Sequence, residues 1–325
     1  MPQMTYREAV AQALRETLSE DASSFLMGED IAAYGGPYAV TKGFLEEFGS
    51  KRVIDSPISE SGFVGLGTGA AMAGLRPIVE IMTINFALLA MDQIVNQTAK
   101  IRYMSGGQYT SPLIVRTVTG GGAQLAATHS QSLEGWFASV PGLKVVVPST
   151  PYDVLGLFRA VREQEDPVIF VEHILLYSSR GDVPEERFTI PLGSADIKRA
   201  GSDYTVIAYS RMVQVALAAA ERLAEDGIDV EVIDLRSLRP WDADTVLESV
   251  RRTGRAVVVE EAWRTGGFGA EVASTIQERA FDYLDAPVGR VGGADVPMPY
   301  ARDLEQAAIP SAESVVKAVR DSLAA

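Results

Sequence analysis

The amino-acid sequence predicts an α/β fold divided into two domains. Short apolar runs recur along the chain, and they are continuous rather than alternating, which is typical of strands buried on both faces of a parallel sheet. Segments with helical composition separate these runs, as in chains that alternate strands and helices. The length of 325 residues suits two domains of ordinary size.

Seven segments have the composition of buried strands. In chain order they read RPIVEIM, PLIVRTV, LKVVVP, PVIFVEH, YTVIAYS, IDVEVIDL and AVVVEEA. The segment VQVALAAAERLAEDG is rich in residues that favour helix, and Gly227 suits its C-terminal cap. The stretch from Ser178 to Asp203 is rich in charge, proline and glycine and shows no sustained period. We therefore place the domain boundary within it.

Composition excludes several classes of protein. The 43 acidic and 29 basic residues give a net charge of -14, which opposes attraction to nucleic acid or to an anionic membrane surface. The chain has no cysteine and only two histidines, so disulfides, thiolate metal sites and a three-histidine zinc site are excluded. It has neither an apolar run of membrane-spanning length nor the basic and apolar pattern of a secretory signal, so we expect a cytoplasmic protein.

The segment DSPISESGFVGLGTGAAMAG, residues 55–74, combines a carboxylate with many glycines. Each glycine inside a helix costs about 1 kcal/mol relative to alanine, so a compensating contact is expected. Gly65, Gly69 and Ala73 recur every fourth residue, which leaves one face of the predicted helix open to another backbone or to a flat ligand. Glu60 stands beside this face, either as a carboxylate favoured by the helix dipole or as a catalytic group.

Three further residues are candidates for a site. His129, in AATHSQSLEGWF, follows a glycine-rich loop and precedes a predicted helix, where a histidine is either a satisfied polar group or a functional one. His173 ends an apolar strand and is expected to be structural. Phe86 lies where a strand passes into a helix, a position at which an aromatic residue is normally part of the core. The glycine clusters fit neither a dinucleotide fingerprint nor a phosphate loop.

Taken together, the motifs resemble those of one family. They read DSPISESGF, AAMAGLRPIVEIMTINF, MDQIVNQTAKIRYMSGG, HSQSLEGWFASVPGLKVVVPSTPYD, EVIDLRSLRPWD and GGADVPMPYA. Their order and sequence resemble the beta subunits of the pyruvate dehydrogenase component of 2-oxoacid dehydrogenase complexes, nearly end to end. The resemblance implies a transketolase-like pyrimidine-binding domain with a mainly parallel sheet over residues 1–185, a linker over 186–202 and a transketolase C-terminal α/β domain over 203–325.

The resemblance also implies a site that uses thiamine diphosphate. Glu60 matches the family's glutamate, which hydrogen-bonds a ring nitrogen of the cofactor's aminopyrimidine and favours its imino tautomer. Phe86 matches the aromatic ring that packs on the aminopyrimidine, and His129 matches the active-site histidine near the substrate and the lipoyl group. The implied reaction is the oxidative decarboxylation of pyruvate with reductive acetylation of lipoamide.

Metals and partners follow from the same resemblance. A potassium site built from backbone carbonyls maps to Leu113, Val161, Arg162, Gln164 and Asp166. The family's magnesium and diphosphate motif, Gly-Asp-Gly followed by a distant Asn, does not occur in this sequence, and in the family it belongs to the alpha subunit. The chain is therefore expected to supply half of an active site in a heterotetramer of two alpha and two beta subunits. The acyltransferase partner is expected to bind through its lipoyl and subunit-binding domains.

Other interpretations remain open at this point. The beta subunits of branched-chain 2-oxoacid dehydrogenase and acetoin dehydrogenase share the fold and most motifs. Ser61 stands where the pyruvate family more often has methionine, so substrate size is open. A noncatalytic assembly subunit is an alternative from another class, and the joint presence of Glu60, Phe86 and His129 argues against it. A nicotinamide dehydrogenase is disfavoured because the fingerprint is missing.

Overall fold

The computed structural model describes residues 2–324, which form two compact units. The first unit comprises residues 2–119 and 137–192, and the second comprises residues 120–136 and 193–324. The segment 120–136 thus belongs to the second unit although most of the neighbouring sequence belongs to the first. The domain boundaries at residues 185 and 203 stay a prediction.

The first unit alternates strands and helices. Its strands are β1 (Gln3–Thr5), β2 (Ser24–Gly28), β3 (Val53–Asp55), β4 (Arg76–Ile81), β5 (Ile114–Thr119), β6 (Lys144–Val146), β7 (Val168–His173) and β8 (Arg180–Asp182). The helices of this part of the chain are α1 (Tyr6–Glu20), α2 (Phe44–Phe48), α3 (Glu60–Met72), α4 (Ile101–Met104), α5 (Glu134–Ala138), which runs across the division at residue 136, and α6 (Pro151–Val161). Two 3₁₀ helices (Ile84–Ala90 and Ile174–Leu176) and one π-helix (Asp92–Thr98) complete it.

Six strands of the first unit form a parallel sheet in the order β6-β7-β5-β4-β2-β3. All residues of β2, β5 and β7 are buried, as expected for strands covered on both faces. Strands β1 and β8 pair with each other in antiparallel orientation. Because the six strands are parallel, their carboxyl ends meet at one edge of the sheet.

Helix α1 shows how the sequence fixes a local element of this unit. Thr5 caps its N-terminus by accepting a hydrogen bond from the Glu8 backbone N–H, and the Glu8 carboxylate accepts from the Thr5 backbone N–H at 2.7 Å. This reciprocal capping box satisfies two N–H groups that the helix leaves without partners. The buried side chains of Val10 and Leu14 lie on the face that packs against α6.

A buried charged cluster joins three adjacent strands of the first sheet. Arg116 of β5 donates hydrogen bonds to Glu80 of β4 and to Glu172 of β7, and all three side chains are at most 6% exposed. The Tyr177 hydroxyl donates to Glu172 at 2.7 Å. Burial raises the pKa of Glu80, against the opposing effect of the Arg116 charge. One cation therefore serves two buried carboxylates.

The second unit has its own sheet and core. Its strands are β9 (Asp196–Arg199), β10 (Tyr204–Ala208), β11 (Val230–Asp234), β12 (Ser237–Arg239), β13 (Ala256–Trp263) and β14 (Gly289–Gly293). Its helices are α7 (Met212–Glu225), α8 (Ala243–Thr253), α9 (Gly269–Ala280), α10 (Arg302–Ala308) and α11 (Ala312–Leu323), with a 3₁₀ helix at Phe281–Tyr283. The sheet order is β14-β13-β10-β11-β9, parallel except for β9. Helices α7 and α11 pack together beside it.

The predicted fold class is confirmed. Each of the seven predicted strand segments contains a strand, namely β4, β5, β6, β7, β10, β11 and β13. The predicted helix before Gly227 is α7, and Gly227 has the left-handed φ of 80° that its position after the helix favours. Over residues 2–324, no helix is both long and apolar enough to cross a membrane.

Candidate functional site

Three neighbouring strands of the first unit, β3, β2 and β4, direct their carboxyl ends to one edge of the sheet. Glu29 follows β2 directly, Glu60 begins α3 a few residues after β3, and Phe86 lies in the 3₁₀ helix after β4. The crevice outside the carboxyl ends of parallel strands is where ligands bind in open α/β sheets. The topology therefore brings two of the predicted site residues and one unpredicted carboxylate to the same edge.

Glu29 and Glu60 form a pair of buried carboxyl groups. Glu60 is 4% exposed in the first turn of α3, and Glu29 is 7% exposed. Burial raises the pKa of Glu29 above its usual value, and the charge of nearby Glu60 raises it further. The Glu29 Oε1 atom is buried without a hydrogen-bond partner among the described residues. Because buried acceptors normally have donors, this oxygen marks a position where a polar ligand group fits.

The chain after β2 is fixed by hydrogen bonds from the end of β3. The Asp55 carboxylate accepts from the backbone N–H groups of Ala32, at 2.7 Å, and Ala33, at 3.2 Å. The Thr41 hydroxyl donates to the Ile31 carbonyl at 2.6 Å. These contacts hold the backbone that follows Glu29 and so limit the movement of its carboxyl group.

Phe86 is half-buried, not fully buried as an ordinary core residue would be. Its backbone N–H donates to the Thr83 carbonyl at 3.0 Å, and the Asn85 side chain donates to the Thr83 hydroxyl at 2.9 Å. The 3₁₀ helix that carries Phe86 packs against α3, the helix that begins at Glu60. Phe86 is therefore less buried than the residues that form the centre of the core, and its role in a site stays a prediction.

The glycines of α3 face two different surroundings. A Cβ atom at Gly67 would lie 2.7 Å from the Val79 side chain, so this glycine permits close packing of α3 on β4. A Cβ atom at Gly65 would lie at an ordinary 3.4 Å from Gln93, and one at Gly69 would meet nothing within 4 Å. Gly69 and Ala73 are exposed. The face predicted to be free of large side chains is therefore accessible in this chain.

Glu29→Gln is expected to raise the thermal stability of the chain at pH 8 more than at pH 5. The folded-state pKa of Glu29 lies above its unfolded value, so the wild-type chain loses stability as pH rises through the interval between them. Because glutamine does not ionise, the variant does not lose stability in this way. Thermal unfolding of both purified chains at the two pH values measures the difference.

Glu8→Gln is the matched control, because its stability difference from wild type is expected to stay constant from pH 5 to pH 8. The Thr5 backbone and side-chain hydrogen bonds lower the pKa of Glu8, so the wild-type chain loses the Glu8 contribution only as pH falls below the usual range of a glutamate. A Glu29→Gln variant whose stability difference from wild type does not grow from pH 5 to pH 8 would contradict the assignment of a like-charged pair.

His129 lies in the segment 120–136 of the second unit and is exposed. Its Nδ1 atom lies 2.9 Å from the Thr128 hydroxyl, and its backbone N–H donates to the Ala126 carbonyl at 3.3 Å. His173 is 1% exposed, and its Nδ1 accepts from the Leu175 backbone N–H at 3.1 Å. His173 is thus buried and its structural role stays a prediction, whereas His129 has the exposure that a reacting group requires.

The five residues of the predicted potassium site lie in the first unit: Leu113, Val161, Arg162, Gln164 and Asp166. The carbonyl oxygens of Arg162 and Gln164 accept hydrogen bonds from Nη1 of Arg76 at 3.0 and 3.2 Å. Two of the proposed carbonyl ligands are thus already hydrogen-bonded to the positively charged guanidinium of Arg76. Potassium binding stays a prediction.

Two of the three remaining carbonyl oxygens also accept hydrogen bonds. The Leu113 carbonyl accepts from the Val168 backbone N–H at 3.0 Å, and the Val161 carbonyl accepts from the Gln164 backbone N–H at 3.0 Å. The Asp166 side chain, which is not part of the predicted carbonyl set, forms an ion pair with Arg102 at 2.9 Å. Residues 2–324 contain no group of three or more acidic or histidine side chains arranged to hold a metal ion. The donor set therefore offers no side-chain cluster for magnesium either.

Glu29 is the site residue that sequence reasoning missed. The local signal was present, because the buried strand SFLMG ends in the acidic pair Glu29 and Asp30. Acidic residues that follow a buried parallel strand lie at the ligand-binding edge of the sheet. Only the strand order shows that Glu29 and Glu60 follow adjacent strands.

Comparison with known proteins gives consistent results over both units. The family profile of the transketolase pyrimidine binding domain matches residues 2–179, and that of the transketolase C-terminal domain matches residues 193–315. Among solved structures, a split gene transketolase described as an inactive beta4 tetramer has a TM-score of 0.81 and 25% sequence identity, covering 99% of this chain and 98% of that chain.

Proteins named pyruvate dehydrogenase E1 component subunit beta, from bacteria and from a plant, are similar to this chain. The pyruvate dehydrogenase E1 component subunit beta of Rickettsia felis is 51% identical over 98% of both chains. That of Rhizobium meliloti is 49% identical over 98% of this chain and 70% of the relative. The mitochondrial subunit beta-1 of Arabidopsis thaliana is 49% identical over 97% of this chain and 88% of the relative. With both transketolase domains present in order, the chain belongs to the family of pyruvate dehydrogenase E1 component beta subunits.

Proposed function

We propose that this chain is the beta subunit of a thiamine diphosphate-dependent pyruvate dehydrogenase. With an alpha subunit it catalyses the oxidative decarboxylation of pyruvate and the reductive acetylation of lipoamide. The observation that carries the proposal is the pair of buried carboxyl groups, Glu29 and Glu60, at the carboxyl edge of a parallel sheet. The likeness to beta subunits along almost the whole chain supports the choice of reaction.

The residues at this edge fit the aminopyrimidine part of thiamine diphosphate. When bound, the cofactor supplies an electron sink for cleavage of the bond next to a 2-oxoacid's carbonyl carbon. Glu60, in a site nearly closed to water, is suited to hydrogen-bond a ring nitrogen and to hold or release the proton there. The half-buried Phe86 offers an aromatic ring on which a flat heterocycle can pack.

Glu29 has a supporting role in this proposal. Its carboxyl group lies near Glu60, and burial together with the Glu60 charge raises the pKa of Glu29, so the site favours the protonated form of Glu29 more than water does. The orphaned Oε1 of Glu29 provides an acceptor that is not used by the described part of the chain.

The alpha subunit supplies the diphosphate and magnesium ligands in this proposal. The sequence has no Gly-Asp-Gly motif, and the described residues form no acidic or histidine cluster for a metal. The accessible small-residue face of α3 at Gly65, Gly69 and Ala73, together with the 57% exposed Leu66, suits contact with another subunit. The structurally similar split gene transketolase chain is described as inactive, which supports the division of the active site between chains.

The wider assembly belongs to the same proposal. We infer a heterotetramer of two alpha and two beta subunits that passes its acetyl group to the lipoyl domain of a dihydrolipoyl acyltransferase and docks on its subunit-binding domain. We also propose a cytoplasmic location, which cell fractionation tests. Ser61, where the pyruvate enzymes more often have methionine, makes pyruvate, branched-chain 2-oxoacids and acetoin the substrates to compare.

The purified chain is expected to show no decarboxylation of pyruvate, and coexpression with its alpha subunit is expected to restore it. The reason is that this chain lacks the ligands for magnesium and the diphosphate. Reduction of an artificial electron acceptor measures decarboxylation, with a branched-chain 2-oxoacid and acetoin as comparison substrates. Activity of the chain alone contradicts the shared site, and a preference of the complex for a comparison substrate contradicts the assignment of pyruvate.

A further inference from the structure

The segment 120–136, which carries His129, is hydrogen-bonded near its start to two buried carboxylates of the second unit. The Gly121 backbone N–H donates to Oε1 of Glu261 at 2.7 Å. The backbone N–H groups of Gly122 and Gln124 both donate to Oε1 of Glu305 at 3.0 Å. Glu305 is 1% exposed and Glu261 is 9% exposed. Three backbone N–H groups within four residues therefore attach the start of this segment to β13 and α10.

The backbone of this segment has a conformation that it does not favour by itself. Gln124 and Ala126 have φ values of 56° and 63°, in the left-handed region that residues other than glycine rarely adopt. Such conformations are unfavourable for residues other than glycine, and they persist only where surrounding contacts impose them. The carboxylate of Glu305 provides such contacts, because it accepts two N–H groups that flank a single residue, and charged acceptors form the stronger hydrogen bonds.

The end of the segment is also anchored. Glu134, which begins α5, is 2% exposed and shares the buried hydroxyl of Tyr209 with Glu260, to which that hydroxyl donates at 3.4 Å. Burial and the nearby charges of Glu134 and Glu260 raise the pKa of Tyr209, so its hydroxyl stays protonated and donates. His129 lies between the two anchors, five residues before Glu134, and is itself exposed.

Packing at the start of the segment leaves little freedom. A Cβ atom at Gly121 would lie 3.0 Å from Cε of Met298 and 3.1 Å from Cδ1 of Ile309. The backbone of the segment therefore approaches the side chains of the second unit closely. Only the stretch between Gln124 and Ser130, which includes His129, lies beyond these contacts and before the second anchor.

We propose that Glu305 is a positioning residue for His129. By accepting hydrogen bonds from the backbone of residues 122–124, Glu305 fixes the path of the segment and so the position of the His129 imidazole. The inference rests on the proposed function for its catalytic consequence, since it assigns His129 to the reaction. The anchoring itself is a property of this chain. The charge and the length of the Glu305 side chain both matter, because one carboxylate spans two N–H groups.

Nuclear magnetic resonance of the full chain labelled in histidine tests the anchoring without activity. The chain has two histidines, and the buried His173 serves as an internal reference. In Glu305→Gln we expect the His129 ring resonances to shift or broaden while those of His173 stay in place. Glu313→Gln, on the exposed first turn of α11, is the matched control and should change neither. Unchanged His129 resonances in Glu305→Gln would overturn the proposal.

Kinetics of the complex with the alpha subunit test the consequence. Glu305→Gln should lower acetyl transfer to lipoamide by about 10-fold to 100-fold, as expected for a misplaced reacting group, with Glu305→Asp recovering part of the loss. Adding Glu305→Gln to His129→Ala should cause no further loss, because both changes remove the same positioned ring. Additive losses would mean that Glu305 acts by another route. A normal rate for His129→Ala alone would instead contradict the proposed role of His129, while the resonance test of the anchoring still stands.

Discussion

Glu60→Gln is expected to lower the rate of pyruvate decarboxylation by the complex with the alpha subunit by about 10² to 10⁴-fold, the range for loss of a general acid or base. Glutamine keeps the size and the hydrogen-bonding capacity of the side chain but has no acidic proton. Glu60 is 4% exposed, so bulk water is poorly placed to replace it as a proton donor. Its location in the first turn of α3, beside Glu29 and the helix carrying Phe86, makes the effect one of chemistry and not of folding.

Two assays locate the step that Glu60 affects. Decarboxylation with an artificial electron acceptor and overall acetyl transfer to lipoamide should fall together, because activation of the cofactor precedes both. His129→Ala should reduce transfer to lipoamide at least as much as decarboxylation. Glu313→Gln, on the exposed surface of α11, is the control for a glutamate-to-glutamine change. Near-normal exchange of the cofactor's thiazolium proton in Glu60→Gln would show that Glu60 is only a helix-end carboxylate.

Four strands of the first sheet and three of the second could be predicted because burial on both faces leaves continuous apolar runs, although β2, which is also buried throughout, was not among them. The short strands β3 and β14 carry no such run, since VID and GRVGG are only three and five residues of mixed character. The helix at Glu60 was predicted despite its glycines. The sequence could not show which glycines of this helix pack closely and which are accessible. Only the structure shows that Gly67 packs against Val79, whereas a Cβ atom at Gly69 would have no neighbour within 4 Å.

Site residues that lie in short sequence motifs could be predicted, whereas contacts between residues far apart in the sequence could not. Glu60 and Phe86 follow strands within short, recognisable motifs, so their positions at the sheet edge follow from sequence and topology. Glu305 lies 183 residues from Gly122 and 181 from Gln124, and no local pattern links a carboxylate to backbone N–H groups at that distance. Arg76 likewise lies 86 residues from the carbonyl of Arg162 that it contacts. Such contacts are determined by tertiary packing alone.

The buried cluster around Arg116 predicts the largest loss of stability. Arg116→Met is expected to lower the free energy of unfolding of the first unit by about 3–5 kcal/mol, the usual cost of removing one partner of a buried ion pair. Methionine fills much of the volume but leaves Glu80 and Glu172 without their shared cation, although the Tyr177 hydroxyl still donates to Glu172. Thermal and urea unfolding of the purified chain measure the loss.

The pH dependence separates lost charge pairing from lost packing. The pKa of Glu80 is already raised by burial and should rise further without Arg116, so the variant's deficit should grow as pH increases above the usual value of a glutamate. Adding Glu80→Gln and Glu172→Gln to Arg116→Met should recover part of the stability, because the unpaired charges are then removed. Arg102→Met is the control, because the ion pair of Arg102 with Asp166 is exposed to solvent and is expected to contribute little to stability. An Arg116→Met chain as stable as Arg102→Met at pH 8 would show that the buried pairs contribute little, and that packing of β4, β5 and β7 alone holds the centre of the sheet.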